Sequence, residues 1–186
     1  FNAQFLMTNS AQGEPALGWQ FLSLFYLFSI ASALIIIFVY DLKYYLIPDS
    51  IVYSAIAMAG IYQVLSVLKF GPPAGGLGNL ENALASSILA SAFFLAIYLV
   101  SRGRWMGFGD VKLAFFMGLF LGFPKIIAAL FLAFFMGAFV GIILIVAKKK
   151  HLRSEVPFGP FLIVGTCIAL FWGQDIMDWY LQFLVV

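Results

Sequence analysis

Asp and Glu together make up only eight of the 186 residues, and two of them, Asp41 and Asp110, fall at the edges of long apolar runs. A carboxylate in such a place is costly unless it faces protein or a water-filled cavity. A pair of aspartates sharing one proton is a chemical unit. Like charges at close range force the two proton affinities apart, so one group serves as base and the other as acid. Such a pair can activate a water, protonate a peptide carbonyl and later protonate the leaving amine. Asp110 is preceded by Gly107-Phe108-Gly109. Two residues without side chains let another backbone come close, as a peptide substrate must. They would equally allow tight helix packing.

Other residues near these acids have two readings each. Asp41 alone reads as a helix-end acid paired with Lys43 or a turn. Asp110 alone reads as an ion-pair partner of Arg104 or Lys112. Asp49 follows Pro48 and suits a helix cap or first turn, or an acid that receives a basic substrate. Lys112, two residues past Asp110, projects to a different side of a helix. It either tunes the acids, binds an interfacial phosphate or extends to the membrane surface.

Other chemistries lack their residues. The single histidine, His151, cannot supply an HExxH zinc site, and no GxSxG elbow is present. The single cysteine, Cys167, lies in an apolar run, so no disulfide can form within the chain. No metal and no cofactor is expected. A net charge of +2 makes no case for nucleic acid.

The elements that must position these acids follow from composition. Apolar residues make up 64% of the chain and charged residues 10%, against roughly half and a quarter in soluble domains. The fold class is all-α, a polytopic membrane protein. A span needs about 20 apolar residues, and six runs approach that length. They are Trp19–Tyr40, Ser50–Leu68, Leu80–Val100, Trp105–Phe123, Ile126–Ala147 and Pro157–Gly173. Residues 19–173 thus form one membrane domain. Residues 1–18 carry no Lys or Arg and are expected outside the cytoplasm, and Phe1 in place of Met is expected of a partial or processed chain. Residues 174–186 read as an amphipathic tail. Gly118/Gly122 and Gly137/Gly141 are GxxxG pairs expected at packed seams.

Six spans place Lys43, Arg102, Arg104, Lys112, Lys148, Lys149, Lys150 and Arg153 on one side, and Lys69 and Lys125 on the other. Short cytoplasmic loops are enriched in Lys and Arg, so the first side is cytoplasmic and both acids lie at its edge. The basic loop also suits anionic lipid contact.

Three segments carry a family resemblance. Asp41-Leu42-Lys43-Tyr44-Tyr45-Leu46-Ile47-Pro48-Asp49 resembles the first motif of type IV prepilin peptidases. Gly107-Phe108-Gly109-Asp110-Val111-Lys112-Leu113 resembles their Gly-x-Gly-Asp motif, and Pro157-Phe158-Gly159-Pro160-Phe161 a third segment of bacterial members. The resemblance covers about residues 20–173. It implies that Asp41 and Asp110 are the catalytic acids of an inner-membrane aspartyl endopeptidase. Its substrates would be prepilins or pseudopilins, cut at the cytoplasmic face just before their hydrophobic helix. Gly107, Gly109, Lys112, Pro48 and Asp49 would shape the site or bind substrate. Many bacterial members also methylate the new N-terminus with S-adenosylmethionine and carry a domain with paired cysteines. This chain has one cysteine, and only the peptidase activity is expected of it. A presenilin-like protease shares Tyr40-Asp41 and Gly-x-Gly-Asp, but its C-terminal Pro-Ala-Leu is missing. A carrier using the two acids for protons or cations would favour repeats, and none is evident. A non-catalytic assembly subunit would tolerate loss of either acid.

Overall fold

In lipid every backbone N–H and C=O must be paired within the protein, which drives apolar runs into helices. The computed structural model describes residues 17–70, 77–146 and 157–185. The basic loop from Lys148 to Arg153, with His151 and Glu155, lies outside them, as do residues 1–16. Six α-helices follow in order: α1 Leu17–Tyr44, α2 Asp49–Leu65, α3 Leu77–Ser101, α4 Phe108–Leu121, α5 Lys125–Val146 and α6 Gly159–Val185. A π-helical turn, Ser66–Phe70, prolongs α2. The fold is all-α, and five of the helices are long and apolar enough to cross a membrane.

The exception is α4. Its 14 residues rise about 21 Å, less than the roughly 30 Å of a hydrocarbon core. What it lacks in length it makes up in burial. Eight of its residues, from Asp110 to Leu119, are buried, and it touches α2, α3, α5 and α6. A helix apolar on every side belongs inside a bundle. Its far end is tied down as well. The Gly122 N–H donates to the Gly118 carbonyl (2.9 Å), and Gly122 turns the chain with φ +65°. Gln63 Nε2 donates to the Leu119 carbonyl at 3.2 Å. Asn82 clamps the next turn, accepting the Phe123 N–H at 2.7 Å and donating to the Phe123 carbonyl at 3.0 Å.

Large side chains such as Phe21, Phe25, Phe28, Phe131, Phe135 and Phe171 are exposed on the outer surface, while many of the buried residues are alanines. This is the pattern expected where lipid tails offer no hydrophobic drive and close backbone approach supplies the packing. Gly118 is such a contact, since a Cβ there would run into the Ser87 backbone of α3. Gly165 does the same for α6 against the Ala129 carbonyl of α5.

Several boundaries differ from the sequence reading. The first helix runs past its apolar stretch to Tyr44, and Asp41 lies within its last turn, as a helix-end acid would. The Tyr45 N–H still donates to the Asp41 carbonyl at 2.9 Å, and Tyr45 stops the helix by taking φ +54°. Helix α4 starts at Phe108, which puts Asp110 in its first turn rather than deeper. The last helix does not stop at Gly173, and residues 174–185 continue it. Gly173 serves packing instead, because a Cβ there would come within 3.1 Å of the Lys125 side chain. Of the two GxxxG pairs, Gly118 faces a neighbouring helix and Gly137 faces Phe158 and Phe161. Gly122 is a helix end, and a Cβ at Gly141 would meet nothing within 4 Å among the described residues.

Gly118→Ala is therefore expected to destabilise the detergent-solubilised protein by about 1–3 kcal/mol, read as a lower thermal midpoint. Gly141→Ala is expected to stay within about 0.5 kcal/mol of the parent. Equal midpoints for the two variants would contradict the α3–α4 seam.

Candidate active site

The alternating helices bring the C-terminal end of α1 and the N-terminal ends of α2, α4 and α6 to one end of the bundle. Asp41 and Asp110 both lie there. Asp41 is 4% exposed and Asp110 6%, and Asp110 lies within the field of the Asp41 charge.

Helix starts answer for both acids. Asp110 is the third residue of α4, and Gly107 caps that helix in an extended conformation, φ −77° and ψ 154°. The Gly107 N–H donates to Asp110 Oδ2 at 3.2 Å, and the Asp110 N–H donates to the Gly107 carbonyl at 3.2 Å. This is the reciprocal half of a capping box, with the acid reaching back to the cap N–H. The positive end of the helix dipole favours a carboxylate there. Asp41 has no such place on its own helix, where it sits at the negative end. It lies instead against the start of α6. The Gly159 N–H faces its carboxylate, and a Cβ on Gly159 would collide with Asp41 Oδ2. Phe158, one residue earlier, seats this helix start by packing on Phe134 and Phe94 at ring-centroid distances of 5.0 and 6.1 Å.

Asp41 Oδ2 is buried and makes no hydrogen bond among the described residues. A buried polar atom without a partner is costly, and a catalytic role is one explanation for such an atom. A water or a peptide group between the two acids would satisfy it. The arrangement can therefore hold one proton between two carboxyls, activate a water and protonate a carbonyl oxygen.

Asp49 and Lys112 form a second pair beside the first. Pro48 precedes α2, and its carbonyl accepts the Ile51 and Val52 N–H groups at 3.1 and 3.2 Å. Asp49 opens the helix, and its Oδ1 meets Lys112 Nζ at 2.8 Å. The same ammonium lies 5.1 Å from the centres of the Tyr53 and Phe108 rings. Lys112 is 15% exposed and Asp49 60%. The Lys112 charge is thus committed to Asp49 and two ring faces, and this pair ties the start of α2 to the first turn of α4. Lys43 lies over the Tyr44 ring at 5.2 Å. Among the described residues, neither acid forms an ion pair with Lys43, Arg104 or Lys112.

Gly109 is explained by a residue that the sequence reading did not single out. A Cβ on Gly109 would stand 2.8 Å from the Cβ of Ile47, and one on Gly159 would stand 3.4 Å from Ile47 Cδ1. Ile47 and Gly159 therefore join the site. Both sit inside the motifs quoted above, but nothing in their types says that they face each other. Gly107 is under no such pressure, since a Cβ there would meet only atoms 3.9 Å away. Among the described residues, no three His, Cys, Asp or Glu side chains converge as a metal site requires.

Known proteins place this geometry. The model of the type IV leader peptidase family matches residues 28–142, which include both aspartates. The chain is 32% identical over 145 residues to a prepilin leader peptidase/N-methyltransferase of Aeromonas hydrophila, covering 76% of this chain and 47% of that one. It is 30% identical over 161 residues to the Legionella pneumophila protein of the same name, covering 86% and 54%. For the Pseudomonas aeruginosa protein the values are 31% over 128 residues, 64% and 44%. The chain spans about half the length of these relatives. No solved structure matches it. With the family model covering more than half of the sequence and both buried acids inside the match, the chain belongs to the type IV leader peptidase family.

Proposed function

We propose that the protein is a membrane aspartyl endopeptidase that removes the basic leader of prepilins or pseudopilins, with Asp41 and Asp110 as its catalytic acids. The observation that carries this reading is the presence of two buried carboxylates from different helices at one end of the bundle. The names of its relatives, prepilin leader peptidase/N-methyltransferase, suggest the substrate class. The proposal is confined to the peptidase step.

In that step the ionised member of the pair draws a proton from a water, which attacks the carbonyl carbon of the scissile bond. The protonated member donates to the carbonyl oxygen. Collapse of the tetrahedral intermediate breaks the C–N bond, and the amine leaves with a proton from the pair. The pair titrates as a unit, so neither residue is assigned one role. Gly107 caps the helix that carries Asp110, and Gly109 leaves the room that Ile47 occupies beside it. Pro48, Asp49 and Lys112 fix the start of α2 against α4. Asp49 is the exposed acid on this rim, placed to receive a basic leader residue.

The charge pattern supports an inner-membrane location with the site at the cytoplasmic face. Lys43, Arg102, Arg104 and Lys112 lie at the end of the bundle that holds the two acids, and Lys69 and Lys125 at the other. A cytoplasmic site fits an excess of positive charge on that side.

Purified protein in liposomes is expected to cleave a prepilin at its leader. Asp41→Asn and Asp110→Asn, each with the parent's thermal midpoint, are expected to lose activity by about 10²–10⁴-fold or more. Full activity in either variant would refute the pair. With Cys167 replaced by Ser, a cysteine at Lys149 is expected to react with an impermeant maleimide only when the cytoplasmic face is open to the reagent. Labelling from the opposite face alone would overturn the orientation.

A further inference from the structure

Three chain segments close around the acids: the end of α1, the start of α4 and the start of α6. Ile47 is the side chain that lies against both the Gly109 and the Gly159 positions. Its Cβ, Cγ1 and Cδ1 all crowd the place where a Gly109 Cβ would be, at 2.8–3.3 Å. Its Cδ1 also borders the Gly159 position that abuts Asp41 Oδ2. One aliphatic side chain thus fills a slot whose walls are two glycines on different helices and whose floor is the unpartnered carboxylate oxygen of Asp41.

The connection that carries Ile47 is short and largely exposed. Tyr44, Tyr45 and Leu46 are exposed, whereas Ile47 is 8% exposed. Neither Leu46 nor Ile47 makes a backbone hydrogen bond to the described residues. The ends of the connection are fixed, by the Tyr45 N–H on the Asp41 carbonyl and by the Pro48 carbonyl at the start of α2. Between them, burial of the Ile47 side chain is what keeps the segment down. An apolar side chain of similar size, brought by another molecule, can replace that burial at little net cost.

We propose that Ile47 is a gate residue, occupying in the substrate-free protein the slot between Gly109 and Gly159 that takes an apolar side chain of the substrate next to the bond to be cut. The proposal rests on the peptidase reading above. Substrate displaces Ile47, its own side chain enters the slot, and its backbone comes to lie on the two glycines beside Asp41 and Asp110. A closed gate reduces apparent affinity by the fraction of molecules that are open. Ile47 is then specificity-determining, and Gly109 is required by the substrate as well as by Ile47.

Steady-state cleavage of a prepilin in liposomes, together with thermal midpoints, tests this on the parent, Ile47→Ala, Ile47→Val, Gly109→Ala and the Gly109→Ala/Ile47→Ala double variant. The gate predicts that Ile47→Ala lowers KM several-fold while kcat is kept. Ile47→Val, which removes one methyl and preserves the fold, moves KM the same way by less. The double variant is folded yet stays at least about tenfold below Ile47→Ala in kcat/KM, and the deficit shrinks for a substrate with Ala beside the scissile bond. If Ile47 merely packs, its truncation raises KM or lowers kcat, and Ile47→Ala restores Gly109→Ala to its own level; either result overturns the gate. A parent that cleaves while these ratios fail overturns the gate alone. A parent that cleaves nothing overturns the peptidase reading, and the gate with it.

Discussion

Two carboxylates buried at one end of a helical bundle, with no cation in contact among the described residues, are the constraint around which the rest of this structure is arranged. Burial disfavours each charge and the other carboxylate disfavours it again. The compensation comes from helix starts. Asp110 draws on the first turn of its own helix through the Gly107 N–H, and Asp41 draws on the start of α6 at Gly159. Partial charges of this kind are fixed in direction and bring no side chain into the space between the acids. A lysine or arginine in the same place would neutralise the pair and fill the room a peptide needs. The Lys112 ammonium is committed to Asp49 and two aromatic rings instead.

This arrangement explains why the shortest helix is the central one. Helix α4 carries Asp110 in its first turn, which faces the end of α1. It falls short of a full span and is enclosed by α2, α3, α5 and α6. Enclosure demands close approach, which Gly118 provides against α3. It also demands that the far end of α4 have its backbone groups satisfied, which Gln63 and Asn82 accomplish. The outer helices can then present large apolar side chains to lipid without any part in the site.

Much of this was legible in the sequence, because apolar run length and scarce acids are strong signals in a membrane protein. Six helices, Asp41 and Asp110 on one side, and Pro48-Asp49 at a helix start all follow from residue type and spacing. The misplacements have physical reasons. The first helix outlasts its apolar run because hydropathy drops at Asp41, whereas the helix continues to a left-handed turn at Tyr45. The last helix passes Gly173 because that glycine is packed against Lys125 and does not break the helix. Asp49 and Lys112 are 63 residues apart in number, and their pairing depends on how α2 and α4 cross. The contact of Ile47 with the Gly109 and Gly159 positions was hidden for the same reason. Each looks ordinary in its own segment, and only the meeting of three chain ends gives them a shared role.

The central claim is that Asp41 and Asp110 occupy one site, and proximity measured in the membrane tests it most directly. With Cys167 replaced by Ser, cysteines introduced together at Asp41 and Asp110 would be treated with a short bifunctional thiol reagent in liposomes. The account predicts an intramolecular cross-link that a prepilin peptide suppresses. Two thiols that each react singly, with no cross-link between them, would contradict it.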